Sequence, residues 1–226
     1  MSVGNDDIPT LAEPEIVSLG NKMPAFALPS AQGGTVNLAE YAGKKVLLIF
    51  PRGKVDNDWC QVCHYQYAEL AELERVTNFR ERHNLEIIFV LPYTLPEVKT
   101  WVTLFPHQMD VIESWKHPAN TANLSEGQIR FVEAARKSFP QRFSYTEGSR
   151  VQIPFPVLAD ADRAVSKQLQ IFRSSWEGSN VDQNQPTIFL LDSDGIVRFK
   201  YYSQSTFDRP APEYLLHYVD HMLSEK

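Results

Sequence analysis

Val46-Leu47-Leu48-Ile49-Phe50 is an unbroken apolar run that follows Gly43-Lys44-Lys45 and stops at Pro51. A run of that length, partly β-branched and bounded by breakers, predicts a strand buried on both faces. Glu86-Ile87-Ile88-Phe89-Val90-Leu91, closed by Pro92, repeats the pattern. So does Thr187-Ile188-Phe189-Leu190-Leu191, which pairs with Ile196-Val197-Arg198-Phe199-Lys200-Tyr201 around Asp194-Gly195, a strong hairpin signal. Gly33-Gly34 predicts a second hairpin among short strands over residues 20–42. From about residue 60 to residue 82 the apolar positions recur at three and four, which is helical spacing, with Asp58 as the expected N-cap. Ser125-Glu126-Gly127-Gln128 forms a capping box that opens an amphipathic helix through Phe139, ended by Pro140. Further helices are expected over residues 160–172 and 210–223.

The order β-α-β, helical block, α-β-β-α predicts an α/β fold with mixed strand directions. The block at residues 96–150 exceeds what one crossover helix requires, so it reads as a helical insertion. Its Trp101, Phe105, Trp115 and Phe131 suit the block's own core better than a docking surface. Residues 1–19, rich in Asp, Glu and Pro, are expected to be a flexible lead-in to one domain over residues 20–226.

Composition narrows the function. The chain has 226 residues, 43% of them hydrophobic, and a formal charge of −6. That balance argues against nucleic-acid and anionic-membrane partners. No run approaches the roughly 18 apolar residues of a membrane span, and the acidic start has no basic stretch leading an apolar core. A cytoplasmic setting, which keeps thiols reduced, is expected.

Both cysteines lie in Trp59-Cys60-Gln61-Val62-Cys63. No second C-x-x-C exists to complete a tetrahedral zinc set, so neither metal nor cofactor is expected. Cys60-Gln61-Val62-Cys63-His64 also spells a c-type haem attachment motif, and two inert buried cysteines are the bland alternative. The strand-then-helix setting favours a redox dithiol instead. First-turn N–H groups and the helix dipole stabilise an anion, so Cys60 is the expected attacking sulfur and Cys63, one turn on, its resolving partner. His64 and Glu69 could assist proton movement, though surface positions suit both. His217 and His221, one turn apart, read as an exposed face.

Four stretches, in order, resemble the redoxin group, the alkyl-hydroperoxide-reductase/thiol-specific-antioxidant family, and within it peroxiredoxin-like members with a W-C-x-x-C motif. They are the segments 20–28, 46–69, Phe155-Pro156-Val157-Leu158-Ala159-Asp160, and 185–195 beginning Gln185-Pro186-Thr187. The resemblance implies a thioredoxin-like three-layer fold, a central mixed sheet flanked by helices. It implies an enzyme, a thiol oxidoreductase, with catalytic Cys60 and Cys63. Trp59, Gln185 and Pro186 would be substrate-binding, Pro186 as the cis proline that faces the dithiol. The peroxiredoxin pattern places Thr or Ser three residues before the peroxidatic cysteine; Asn57 stands there, and the loop 52–58 is lengthened. Pro186 stands where such enzymes carry an arginine; Arg52 is a candidate substitute, or a solvated loop charge. Thiol–disulfide exchange, which needs fewer parts, is therefore the expected reaction. Peroxide reduction is the alternative, and a non-catalytic redox-sensing module is a third reading. A thioredoxin- or glutathione-type reductant is implied, and a homodimer is compatible with the family.

Overall fold

The computed structural model describes residues 17–143 and 153–222. The expected lead-in up to residue 16 and the last part of the expected helical insertion lie outside the described residues. In chain order the elements begin with the hairpin β1 (Ala27–Pro29) and β2 (Thr35–Asn37), turned by Gly33 and Gly34 at φ +101° and +72°. They continue with β3 (Lys45–Phe50), a small hairpin β4 (Lys54–Val55) and β5 (Asp58–Trp59), α1 (Gln61–Thr77), α2 (Phe79–His83) and β6 (Leu85–Leu91). Three helices follow: α3 (Leu95–Thr103), α4 (Phe105–Lys116) and α5 (Glu126–Ser138). The chain closes with β7 (Val157–Ala159), α6 (Ala164–Gln168), β8 (Phe172–Arg173), β9 (Gln183–Asn184), β10 (Thr187–Leu191), β11 (Val197–Tyr202) and α7 (Pro212–Met222).

Five strands make the central sheet in the order β11-β10-β3-β6-β7. β3, β6 and β7 run parallel, while β10 is antiparallel to both β3 and β11. Strand side chains alternate between faces, and here both faces are covered. Leu47, Ile49, Ile87, Phe89 and Ile188 enter one core with α1, α3, α4 and α7. Val46, Leu48, Phe50, Ile88 and Phe189 enter a second core with Met23, Val165 and Ile171. Two covered faces explain why these strands read as continuous apolar runs. Each such side chain contributes about 1.5–3 kcal/mol by burial.

Several expectations change. The helix expected over residues 60–82 breaks at Asn78, whose φ of +51° ends α1 and lets Phe79 turn into the core at 1% exposure. Asp58 is not the N-cap: it pairs with Val55 in the β4–β5 hairpin, and Cys60 takes the cap position. That hairpin is the lengthened loop. The helix expected over residues 160–172 shrinks to α6. Asp160 accepts from the Val165 and Ser166 N–H groups, Gln170 at φ +58° stops the helix, and Phe172–Arg173 pairs with β9. Trp101 and Phe105 are fully buried in the first core, while Phe131 stays 42% exposed at the edge of Trp115. No helix among the described residues is long and apolar enough to cross a membrane.

Candidate active site

The turn that leaves β3 sets the geometry. Pro51 ends the strand, the Arg52 carbonyl accepts the Asn184 N–H at 3.1 Å, and the Gly53 carbonyl accepts the Cys60 N–H at 2.8 Å. Gly53 sits at φ +89°, which favours glycine. In this conformation the N–H groups of Arg52 and Gly53 both donate to the Cys63 sulfur. Cys60 caps α1 in an extended conformation and Cys63 lies in the first turn. Both are free thiols, 1% and 0% exposed, and the Cys60 S–H donates to the Cys63 sulfur.

The two sulfurs are therefore unequal. Burial raises the Cys63 pKa, but the Cys60 S–H, the Arg209 charge and the two backbone N–H groups outweigh it and bring it down to about 6. Cys60 is pushed well above its ordinary range, first because it donates to Cys63 and then by burial. Helix position suggested the reverse. The Cys63 N–H and the Arg209 charge also favour a Cys60 thiolate, but more donors converge on Cys63.

Arg209, which no sequence pattern marks, comes from the β11–α7 loop. Its Nη1 donates to Ser203 Oγ at 2.8 Å and the Asp208 carbonyl at 2.8 Å, while Nε and Nη2 are buried without a partner. Its charge lowers the pKa of both thiols. The expected substrate-binding pair does other work. The peptide bond into Pro186 is trans, and the Pro186 carbonyl accepts the Ser203 N–H, seating the loop that carries Arg209. Gln185 engages its N–H with the Ile171 carbonyl, its own carbonyl with Thr187 Oγ1, and its side chain with Arg173 and Ser203. The Gln185 N–H is thereby committed, while its carbonyl keeps one lone pair. Trp59 stands beside Cys60 in β5, its ring edge-on to Tyr93 at 5.2 Å.

Arg52 is not a solvated loop charge: it is 1% exposed, bonded to Gln183 Oε1, Thr206 Oγ1 and the Trp176 carbonyl at 2.6–2.8 Å. His64 is not a surface imidazole either. It is fully buried against Trp101 at 4.3 Å, with its ring nitrogens 3.1 Å and 3.0 Å from the Cys60 and Trp101 carbonyls. Burial holds its pKa down to about 4, so the ring is neutral, and neither nitrogen is placed to reach an axial position on a haem. The His221 side chain lies outside the described residues.

Glu69 is half-buried, and burial together with nearby Glu213 raises its pKa to about 8. The folded protein therefore retains a proton that the unfolded chain releases near its ordinary value, so Glu69 makes stability fall as pH rises between those two points. Glu69→Gln is expected to raise the melting temperature above that window and to leave it nearly unchanged below. Thermal melts on both sides check this; an equal gain at both would show a packing effect instead.

Residues 19–112 match the family model described as AhpC/TSA. A comparison with curated proteins by sequence finds no match. Among solved structures, Mycobacterium tuberculosis AhpC superposes with a TM-score of 0.58 at 14% identity, over 93% of this chain and 96% of that one. The reduced 2-Cys peroxiredoxin of Plasmodium vivax does so with a TM-score of 0.56 at 17% identity, over 90% and 81%. The chain has the mixed-sheet, thioredoxin-like fold of the peroxiredoxins.

Proposed function

We propose that the chain is a thiol-dependent peroxidase in which Cys63 attacks the peroxide and Cys60 resolves the product. The observation that carries this reading is the convergence of the Arg52 and Gly53 N–H groups, the Cys60 S–H and the Arg209 charge on the Cys63 sulfur. Peroxide cleavage needs a thiolate, and donors for the departing oxygen. Cys60 stands three residues before Cys63, where the peroxiredoxin pattern has its hydroxyl, and Arg209 brings unpartnered N–H groups. Burial of both sulfurs also suits a small peroxide better than the disulfide of a folded protein.

In the reaction, the Cys63 thiolate forms an S–O bond to the terminal oxygen of ROOH as the O–O bond breaks. The departing alkoxide takes the Cys60 proton and leaves as ROH. The Cys60 thiolate then attacks the Cys63 sulfenic acid, closing the disulfide and expelling hydroxide, which solvent protonates to water. Two electrons from a thioredoxin- or glutathione-type thiol restore the pair by thiol–disulfide exchange.

Stopped-flow tryptophan fluorescence, with Trp59 as reporter, tests the proposal. The rate constant with hydrogen peroxide is expected to rise with pH through a midpoint near 6, where Cys63 ionises, and then to level. An inert response to peroxide with a prompt one to oxidised glutathione would sink the peroxidase and make exchange the principal reaction.

A further inference from the structure

A cavity of about 220 Å³ opens between α1, the end of α5 and the β11–α7 loop. Arg209 lines it and is also the residue whose charge acts on the dithiol. Val62, Phe139 and Phe207 give it apolar walls. Two of its polar residues carry buried donors that lack acceptors. Gln66 is 4% exposed, yet its Nε2 has no partner. Nε and Nη2 of Arg209 are likewise buried and unpartnered. Glu69, on the same wall, carries its proton at neutral pH and so adds a further donor, and Lys137 adds a cation. Glu213 is the one opposing carboxylate among the lining residues.

Buried donors without acceptors are costly unless a ligand satisfies them. An acceptor-rich anionic head on an apolar body is the complement of this cavity, because its lining combines the unpartnered donors of Arg209 and Gln66 with the apolar side chains of Val62, Phe139 and Phe207. We propose that the cavity binds the carboxylate of an amphipathic organic acid, held by Arg209 and Gln66 with its apolar part against Val62, Phe139 and Phe207. Such a carboxylate belongs either to the substrate, a hydroperoxide presented to Cys63, or to a separate effector. The first case rests on the peroxidase reading; the binding itself does not.

Hexanoate, hexan-1-ol and hexylammonium titrated into the reduced protein by NMR test the proposal without any thiol chemistry. Hexanoate is expected to saturate, with hexan-1-ol at least ~10-fold weaker and hexylammonium without effect, since a charge-assisted hydrogen bond separates them. Gln66→Leu and Arg209→Met should each weaken hexanoate by about 10-fold or more, and Gln66→Leu should keep its rate with hydrogen peroxide. Equal binding of the alcohol, or no saturation by hexanoate, overturns the proposal. Rates with a hydroperoxide of hexanoic acid and with tert-butyl hydroperoxide then separate the sources. A preference for the acid that Gln66→Leu removes assigns the carboxylate to the substrate; hexanoate binding without that preference assigns it to an effector. If peroxides prove inert while hexanoate still binds, the peroxidase reading fails and the subsite stands.

Discussion

Cys63→Ser is expected to lower the rate of reaction with hydrogen peroxide by more than ~10³-fold, while Cys60→Ser keeps the first oxidation and stops turnover. Removing a nucleophile from a catalytic unit abolishes nearly all of its rate advantage. Cys63 carries the low pKa and the converging donors, so serine there leaves a hydroxyl that those donors cannot ionise near neutrality. At position 60 serine still offers an O–H to the Cys63 sulfur, so the thiolate survives and one sulfenic acid accumulates, with no thiol to close the disulfide. Single-turnover mixing with a sulfenic-acid trap, read by mass, distinguishes the two. The assignment reverses if Cys60→Ser is silent and Cys63→Ser is trapped at Cys60.

Gly53→Ala is expected to lower stability by about 2–4 kcal/mol, or roughly 6–12 °C in melting temperature for a domain of this size. A Cβ at this position would meet Tyr93 Cε2 at 2.3 Å and its hydroxyl at 2.6 Å, with the backbone at φ +89°. Tyr93 has little room to yield. It is 4% exposed, accepts the Lys54 N–H at 2.8 Å and donates to the Asp182 carbonyl at 2.8 Å. Relief by turning the peptide would swing the Gly53 N–H away from Cys63 and its carbonyl away from the Cys60 N–H. Loss of stability should therefore come with a raised thiol pKa, seen as a shifted thiolate absorbance titration. A variant as stable as the parent with an unchanged titration would remove the turn from this account.

Strands β3, β6 and β10 were legible because both of their faces are buried, which writes a nearly uninterrupted apolar run into the sequence; β11, mostly half-exposed, was legible through the hairpin signal at Asp194-Gly195. β7 was not, since three residues after Pro156 carry no periodicity and take strand form only by pairing with β6. The short hairpins β4–β5 and β8–β9 escaped for the same reason, and with them the true cap of α1. The dithiol announced itself as two cysteines beside a tryptophan. Which sulfur ionises did not, because Arg209 reaches the site through a loop seated on Pro186, a tertiary relation that neither spacing nor composition records. Gln185 and Pro186 do lie at the expected end of the sheet, and there they bond to Ser203 and hold the scaffold around that loop.

The buried guanidinium of Arg52 has a consequence for how the chain acquires its structure. Its three partners lie 124, 131 and 154 residues further along. Closing loops of that length is entropically late in folding, and long-range contacts form slowly. The contacts that seat Arg52 are therefore expected to form late, together with the long-range pairing of β3 with β10, whereas the two thiols are neighbours from the moment the helix forms. A nascent chain carries them unshielded until its C-terminal third is made, and premature oxidation in that interval is a hazard that only a reducing surrounding removes.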